Sequence, residues 1–388
     1  MQTENKNIKW KLPLYKIFTD DEDLNLITKI IKRGTDWAIG PEIEEFENNL
    51  RNYVGVDYCV TLNSGTSALH ATFLAYGFGK GDEIIVPSFS FISTANAVLF
   101  VEANPKFTDI EEQTFGLNTN AIADNITKKT KAIVPMDYGG LSCNILDIQK
   151  VARENKLVLI EDAAEALGST IKGAKVGSIA DSSIFSFCGN KVLTTGEGGA
   201  VVTNSKEIFE KIKLIRSHGR FEKKSAYFDD VSMPQYNQLG YNWRMSSITA
   251  GLGISQLAKL DKIIKKRQEN ANYISSRIKK HDKIKVPNIP KGFEHIYQMY
   301  SIRLANKKTR DRLHNYLTTK QIFSKVYFNP IHQTQFYQEK FPTKLNSLPV
   351  TEKIADEILT LPMYPNMTFD EKNYLVESIS EFFEINEE

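Results

Sequence analysis

The chain has 388 residues, with 49 Lys and Arg against 47 Asp and Glu, a formal net charge of +2, 41% hydrophobic residues and 25% charged ones. This balance excludes an intrinsically disordered chain, which has fewer apolar groups and more net charge. It also lacks the basic excess of a dedicated nucleic-acid binder. A chain this long can bury roughly 75% of its unfolded surface and suggests about two or three domains.

Cys59, Cys143 and Cys188 are too few and too scattered for a disulfide framework, and no pair has CxxC spacing. The six histidines show no HExxH or comparable spacing, so no metal is expected. The N-terminal MQTENKNIKWKLPLYKIF lacks a signal peptide's apolar core. No run approaches the ~18 apolar residues of a membrane span. The expectation is a reduced, cytoplasmic protein that meets neither membrane nor nucleic acid.

In chain order, a helix is expected at Asp21–Arg33. Short β-branched runs then predict buried strands at Tyr58–Leu62, Glu83–Val86, Ala132–Met136, Leu157–Glu161, Ile184–Phe187 and Ala200–Thr203. Between them lie helical segments at Thr66–Tyr76, Thr94–Phe100, Ile145–Asn155 and Lys206–Arg216. Strand–helix alternation with fully apolar strands points to an α/β fold, its mostly parallel sheet covered on both faces. Ser246–Lys280 has helical apolar spacing and reads as one long helix or two end to end. A Pro/Gly connector at 285–292 leads to Tyr300–Leu304, a helix near Lys308–Thr318, and Ser324–Phe328, a smaller α+β unit on which the N-terminal helix is expected to pack. The boundary is placed near residue 248, giving regions 1–247 and 248–388.

Three stretches carry chemistry. Asn63-Ser64-Gly65-Thr66-Ser67 follows a strand and opens a helix, where free N–H groups and the helix dipole make an anion site. An ordinary capped helix start would look the same. Glu161-Asp162-Ala163-Ala164-Glu165 puts carboxylates just beyond a buried strand, where open α/β sheets bind ligands. An acid there could hold a cationic ring nitrogen or a metal, or cap a helix. Ser186 to Gly199 carries a single lysine, Lys191, in a neutral Ser/Thr/Gly-rich loop between apolar strands, where desolvation can turn an amine into a nucleophile.

The string FSFCGNKVLTTGEGG resembles the pyridoxal-phosphate lysine motif of the DegT/DnrJ/EryC1/StrS family of nucleotide-sugar aminotransferases. NSGTSALH, PSFSFISTANAV, EDAAEALGS and GYNWRMSSITAGLG resemble its other blocks in the expected order, from about Leu12 to Phe382. The resemblance implies an aspartate-aminotransferase-like (fold type I) domain with pyridoxal 5'-phosphate as cofactor, followed by a small C-terminal domain. It implies that Lys191 carries the cofactor as an internal aldimine and that Asp162 pairs with the pyridinium nitrogen. Phe91 would stack on the ring, and Gly65, Thr66 and Ser186 would hold the phosphate. Asn242 would reach the phosphate from the partner subunit of a homodimer with shared sites. Glu165 stands where many relatives have Gln or His near the phenolic oxygen, and MSSITAGLG departs from the more usual MSEIQAAIG-like wording.

The implied reaction is ping-pong transfer of an amino group from L-glutamate to a nucleotide-linked keto-sugar, with a 4-keto-6-deoxyhexose favoured by the resemblance to perosamine-synthase-like members. The alternatives are a 3-keto aminotransferase, a sugar dehydratase and a non-catalytic regulator. Dehydratase members carry histidine in place of the lysine, against Lys191. A regulator would need neither Lys191 nor Asp162 nor the phosphate loop. His332, Trp37 and His218 are candidate substrate contacts, each with a purely structural alternative in its loop or turn. Arg220–Asn237 has the polar, turn-like composition of a loop, either one near the neighbouring subunit's site or simply an exposed one.

Overall fold

The computed structural model describes residues 9–221, 235–344 and 346–385. The larger part of the predicted loop at Arg220–Asn237 therefore lies outside the described residues. Seven strands form one sheet in the order Tyr58–Leu62, Gly199–Thr203, Ser182–Ser186, Val158–Asp162, Thr130–Ile133, Glu83–Pro87, Asn104–Thr108. Gly199–Thr203 runs antiparallel to both neighbours, and the remaining pairings are parallel.

Side chains alternate across each strand, and both faces are buried. Val60, Leu62, Ile84, Val86, Ile160, Ile184 and Val201 meet helices Gly65–Tyr76, Ser93–Phe100 and Lys206–Arg216 on one face. On the other, Cys59, Phe185, Phe187, Ala200 and Val202 meet helices Pro41–Val54 and Ser247–Ala258, while Ile85, Ile133 and Leu159 meet Ile145–Glu154. This is the covered, mostly parallel α/β sheet expected of the sequence.

The long helical segment is two helices end to end, Ser247–Ala258 and Leu260–Ile278. Ile263 and Ile264 still belong to the core beneath the large sheet. From Ala271 onward the helix packs into a second core with Leu12, Tyr300, Ile302, Leu313, Leu361 and Phe382. That core covers a three-stranded antiparallel sheet of Ile284–Lys285, Tyr300–Leu304 and Ile358–Leu361. Among the described residues no helix is long and apolar enough to cross a membrane.

Some elements differ from expectation. Asn104–Thr108 is a strand despite Pro105, because it lies at the sheet edge, where a missing N–H breaks no ladder. Ser324–Phe328 forms no strand; Lys325 makes one bridge to Thr360, and Ile358–Leu361 takes the place beside Tyr300–Leu304. The N-terminal helix Asp21–Arg33 packs chiefly on Ser247–Ala258, with the Ile30 side chain filling the space above Gly251.

The anchor of that helix is the buried Lys259 ammonium, which pairs with Asp20 and with Asp23 at 3.0 Å. Removing the cation leaves the Asp23 carboxylate buried and without its counter-charge, so Lys259→Ala is expected to lower stability by about 3–5 kcal/mol. Urea denaturation of the variant against the parent checks this.

Candidate active site

The site gathers where three segments leave the C-terminal edge of the large sheet. After strand Tyr58–Leu62 the chain turns directly into helix Gly65–Tyr76. Ser64 caps it, its hydroxyl accepting from the Ser67 N–H at 3.0 Å, while the Ser67 hydroxyl accepts from the Ser64 N–H at 3.2 Å. The capping box satisfies the N–H of Ser67 and leaves those of Gly65 and Thr66 at the positive end of the helix dipole. Gly65 is required by its neighbour: a Cβ there would stand 3.0 Å from Cβ of Ser186, which ends strand Ser182–Ser186. Gly199 is more crowded still, since a Cβ there would stand closer yet to the Ser64 carbonyl oxygen and collide with it. Gly65, Thr66 and Ser186 are thus brought together at one half-buried turn.

Asp162 ends strand Val158–Asp162 and is 3% exposed. Its Oδ2 accepts from the Thr94 hydroxyl at 2.6 Å, and its Oδ1 accepts a longer bond from the Ala164 N–H at 3.3 Å. Thr94 in turn meets the Ser90 hydroxyl at 2.7 Å. Burial pushes the Asp162 carboxyl up to about 6, against the pull of these donors and of the Lys191 charge. Such an acid is short of a cation. A protonated ring nitrogen placed against it would offset the desolvation that raises it.

Lys191 lies in the loop between strands Ser182–Ser186 and Gly199–Thr203, its side chain 13% exposed. Its Nζ donates to Oε1 of Glu165 at 3.1 Å. Oε2 of Glu165 accepts from the Gly139 N–H at 3.0 Å. Gly139 has φ +64, the left-handed region that suits glycine. Glu165 therefore bridges the lysine to the turn Tyr138–Gly140, a link that neither spacing nor motif revealed. Thr94 was also missed as a partner of Asp162, although it stands inside the PSFSFISTANAV block.

The other candidates lie in different surroundings. Phe91 precedes helix Ser93–Phe100 and is 57% exposed, with the Phe328 ring at 6.3 Å. Asn242 is exposed, its backbone bridged to Ser217. His218 has φ +59, and its N–H donates to the Tyr241 carbonyl. Partial burial and the nearby Arg244 and Arg220 charges hold the His218 imidazole below its usual range. Trp37 is partly exposed, with its indole N–H donating to the Ile30 carbonyl and its own carbonyl accepting from the Ser247 N–H. The His332 ring is 1% exposed; Nδ1 meets the Ser88 hydroxyl at 2.6 Å and Nε2 faces Glu352 at 3.4 Å. Burial lowers its pKa. The structure thus brings Gly65, Thr66 and Ser186 together, and Lys191 and Glu165 together near Asp162. It gives His332 and Trp37 hydrogen bonds within the fold.

This arrangement offers an anion cradle, a buried acid in want of a cation, and a lysine amine, which fit the phosphate, ring nitrogen and carbonyl carbon of pyridoxal phosphate. The model of the DegT/DnrJ/EryC1/StrS aminotransferase family matches residues 18–380. GDP-perosamine synthase of Escherichia coli O157:H7 is 34% identical over 96% of this chain and 98% of its own. UDP-4-amino-4,6-dideoxy-N-acetyl-beta-L-altrosamine transaminase of Campylobacter jejuni is 36% identical over 82% of this chain and 84% of its own. The solved structure of Helicobacter pylori PseC, an aminotransferase involved in the biosynthesis of pseudoaminic acid, superposes with a TM-score of 0.91 at 30% identity, covering 96% of this chain and 99% of that one. The chain belongs to the DegT/DnrJ/EryC1/StrS aminotransferase family and is a pyridoxal-phosphate-dependent aminotransferase.

Proposed function

We propose that this enzyme moves an amino group from L-glutamate to a nucleotide-linked keto-sugar, a 4-keto-6-deoxyhexose, by a ping-pong mechanism. The observation that carries the reading is the convergence of Lys191, Glu165 and Asp162 beside the Gly65–Thr66–Ser186 cradle. The 4-keto preference rests on relatives named for perosamine and for a 4-amino-4,6-dideoxy sugar. A 3-keto substrate is the second reading, since it needs the same catalytic groups. A dehydratase or regulator is disfavoured by Lys191 itself.

In this reading the N–H groups of Gly65 and Thr66 and the Ser186 hydroxyl bind the phosphate, and Phe91 offers its exposed face to the ring. Asp162 sets its carboxylate against the ring nitrogen and keeps a proton there. Pyridoxal phosphate, when bound, supplies the electron sink that makes the donor's α-proton acidic. Lys191 Nζ takes that proton from the α-carbon of glutamate and acts as general acid and base in both half-reactions. Whenever the amine is free, Glu165 Oε1 accepts its hydrogen bond and holds it at the site. The chain works as a homodimer in the cytoplasm, with Asn242 of the partner subunit completing each phosphate site. Trp37, His218 and His332 shape the sugar pocket.

Gly65→Ala is expected to push Ser186 aside and weaken pyridoxal phosphate binding roughly five- to tenfold, about 1–1.4 kcal/mol. Equilibrium dialysis measures it. The substrate reading is tested by incubating the enzyme with glutamate and a panel of 4-keto and 3-keto nucleotide sugars, read by mass spectrometry. Amination of the 4-keto members is expected. Amination confined to 3-keto members would overturn the regiochemistry, and amination of none would overturn the substrate class.

A further inference from the structure

Behind Asp162 lies a second pair of acids that the reaction does not use. Asp137 and Glu161 are both fully buried. Glu161 precedes Asp162 in the strand, so its side chain points to the opposite face of the sheet. There its Oε2 accepts from the Gly177 N–H at 2.8 Å and the Ser183 hydroxyl at 2.9 Å. Asp137 lies on the neighbouring segment, where its Oδ1 accepts from the Cys143 N–H at 2.8 Å. That segment is laced to the strand end. The Asp137 N–H donates to the Asp162 carbonyl at 3.1 Å, and the Asp162 N–H donates to the Pro135 carbonyl at 2.8 Å.

The remaining oxygens, Oδ2 of Asp137 and Oε1 of Glu161, are buried and have no donor among the described residues. Met136 pairs with Asp162 across a parallel bridge, so Asp137 and Glu161, one residue away on adjacent segments, project to the same face, where each carboxyl acts on the other. Two ionised carboxylates in contact inside a core repel and are desolvated at once, and a single proton between them removes both penalties. The other titratable groups bearing most strongly on Asp137 are the Asp162 carboxylate and the Cys143 thiol, with Glu111 acting on Cys143 in turn. The acids among them add negative charge. Burial, with Glu161 alongside, holds the Asp137 carboxyl well above the carboxylate range, and burial raises that of Glu161.

We propose that Asp137 and Glu161 share one proton and act as positioning residues, tying the 135–137 segment to the strand end so that Asp162 is held in place. The role assigned to Asp162 is the one proposed above; the shared proton itself stands apart from it. The proton is Glu161 Oε1–H···Oδ2 Asp137 or its reverse, and no bond between heavy atoms changes.

The test uses Asp137→Asn in the full-length holoenzyme. The Asn amide can donate permanently to Glu161 while its oxygen still accepts from Cys143. A carboxyl whose folded pKa is raised stabilises fully at low pH and loses that contribution as pH rises through the folded value. The amide has no proton to lose. Thermal melts from pH 6 to pH 9 are therefore expected to show the variant gaining on the parent as pH rises, by a few °C on the order expected for a chain of this size. A pH-independent gap would overturn the shared proton. The positioning role is read by equilibrium dialysis of pyridoxal phosphate over the same range. The parent is expected to lose affinity towards pH 9 severalfold more than the variant. A growing gap in the melts with identical pH profiles of affinity would overturn the positioning role. The keto-sugar panel is a separate experiment, so failure of the substrate reading leaves both outcomes interpretable. Glu161→Gln, which presents its amide to Asp137, is expected to repeat the pattern and serves if Asp137→Asn does not fold.

Discussion

Lys191→Ala is expected to lower the rate of amino transfer by about 10⁴-fold, the upper range of what one positioned acid/base group contributes, and to leave the cofactor without a covalent attachment. The reason is positional. Nζ of Lys191 is largely buried and held by Glu165, which is itself fixed by the Gly139 N–H. Once the lysine is gone, Glu165 keeps the Gly139 N–H but is left as a buried carboxylate without its counter-charge, so some loss of stability is expected beside the loss of chemistry. Steady-state rates with glutamate and an accepted keto-sugar, together with a thermal melt, separate the loss of chemistry from a loss of structure. A Lys191→Ala protein that aminates at the parent rate would contradict the assignment.

Asp162→Asn should cost about 10²–10³-fold in rate, the magnitude associated with removing one preorganised electrostatic partner. It should also make the cofactor-free protein more stable near neutral pH. Burial raises Asp162 from 3.8 to about 6, so its stabilising contribution is complete below its unfolded value and is lost as pH rises through about 6. Above that pH the empty protein carries a buried charge that the Thr94 and Ala164 donors and the Lys191 charge offset only in part. Asparagine keeps the shape and can still hydrogen-bond Thr94, without the charge. Lower activity with a higher melting temperature of the empty form is the signature of a group kept for function at a cost to stability. Equal or lower stability of the empty variant above pH 7 would show that burial does not govern this carboxyl. The parent should show a matching pH trend: below about pH 6 the acid must first give up its proton to pair with a ring cation, so cofactor affinity should rise between pH 5 and pH 7, and this rise should vanish in Asp162→Asn.

Much of this site is legible in the sequence because its residues sit at the ends of strongly patterned elements. The apolar run before Asp162 predicts a buried strand, and a carboxylate at such an end is placed by the topology of the sheet. Gly65 could be read as a close approach, and Ser186 proved to be the group approached. What could not be read are contacts between segments far apart in sequence. The Asp162–Thr94 bond spans 68 residues, and the bridge from Lys191 through Glu165 to Gly139 joins three separate segments. Periodicity is local and reports none of these. His332 shows the same limit: its loop context was visible, but its burial against Ser88, 244 residues away, was not. The fold errors have a similar origin. Asn104–Thr108 is hidden by Pro105, whose tolerance depends on the strand being at the edge. Ile358–Leu361 follows directly on helix Pro349–Glu357 with no turn residues between them to announce it.

The assignment of Lys191 as the amine that takes the cofactor underlies every step of the proposed transfer. It is tested most directly by reducing the pyridoxal-phosphate-loaded enzyme with borohydride, digesting it and locating the modified peptide by mass spectrometry. A single pyridoxyl group is expected on Lys191, in the peptide containing Cys188-Gly-Asn-Lys191, and it is expected to be lost when glutamate is added before reduction. A pyridoxyl group on another lysine, or none on a protein that binds the cofactor, would contradict it.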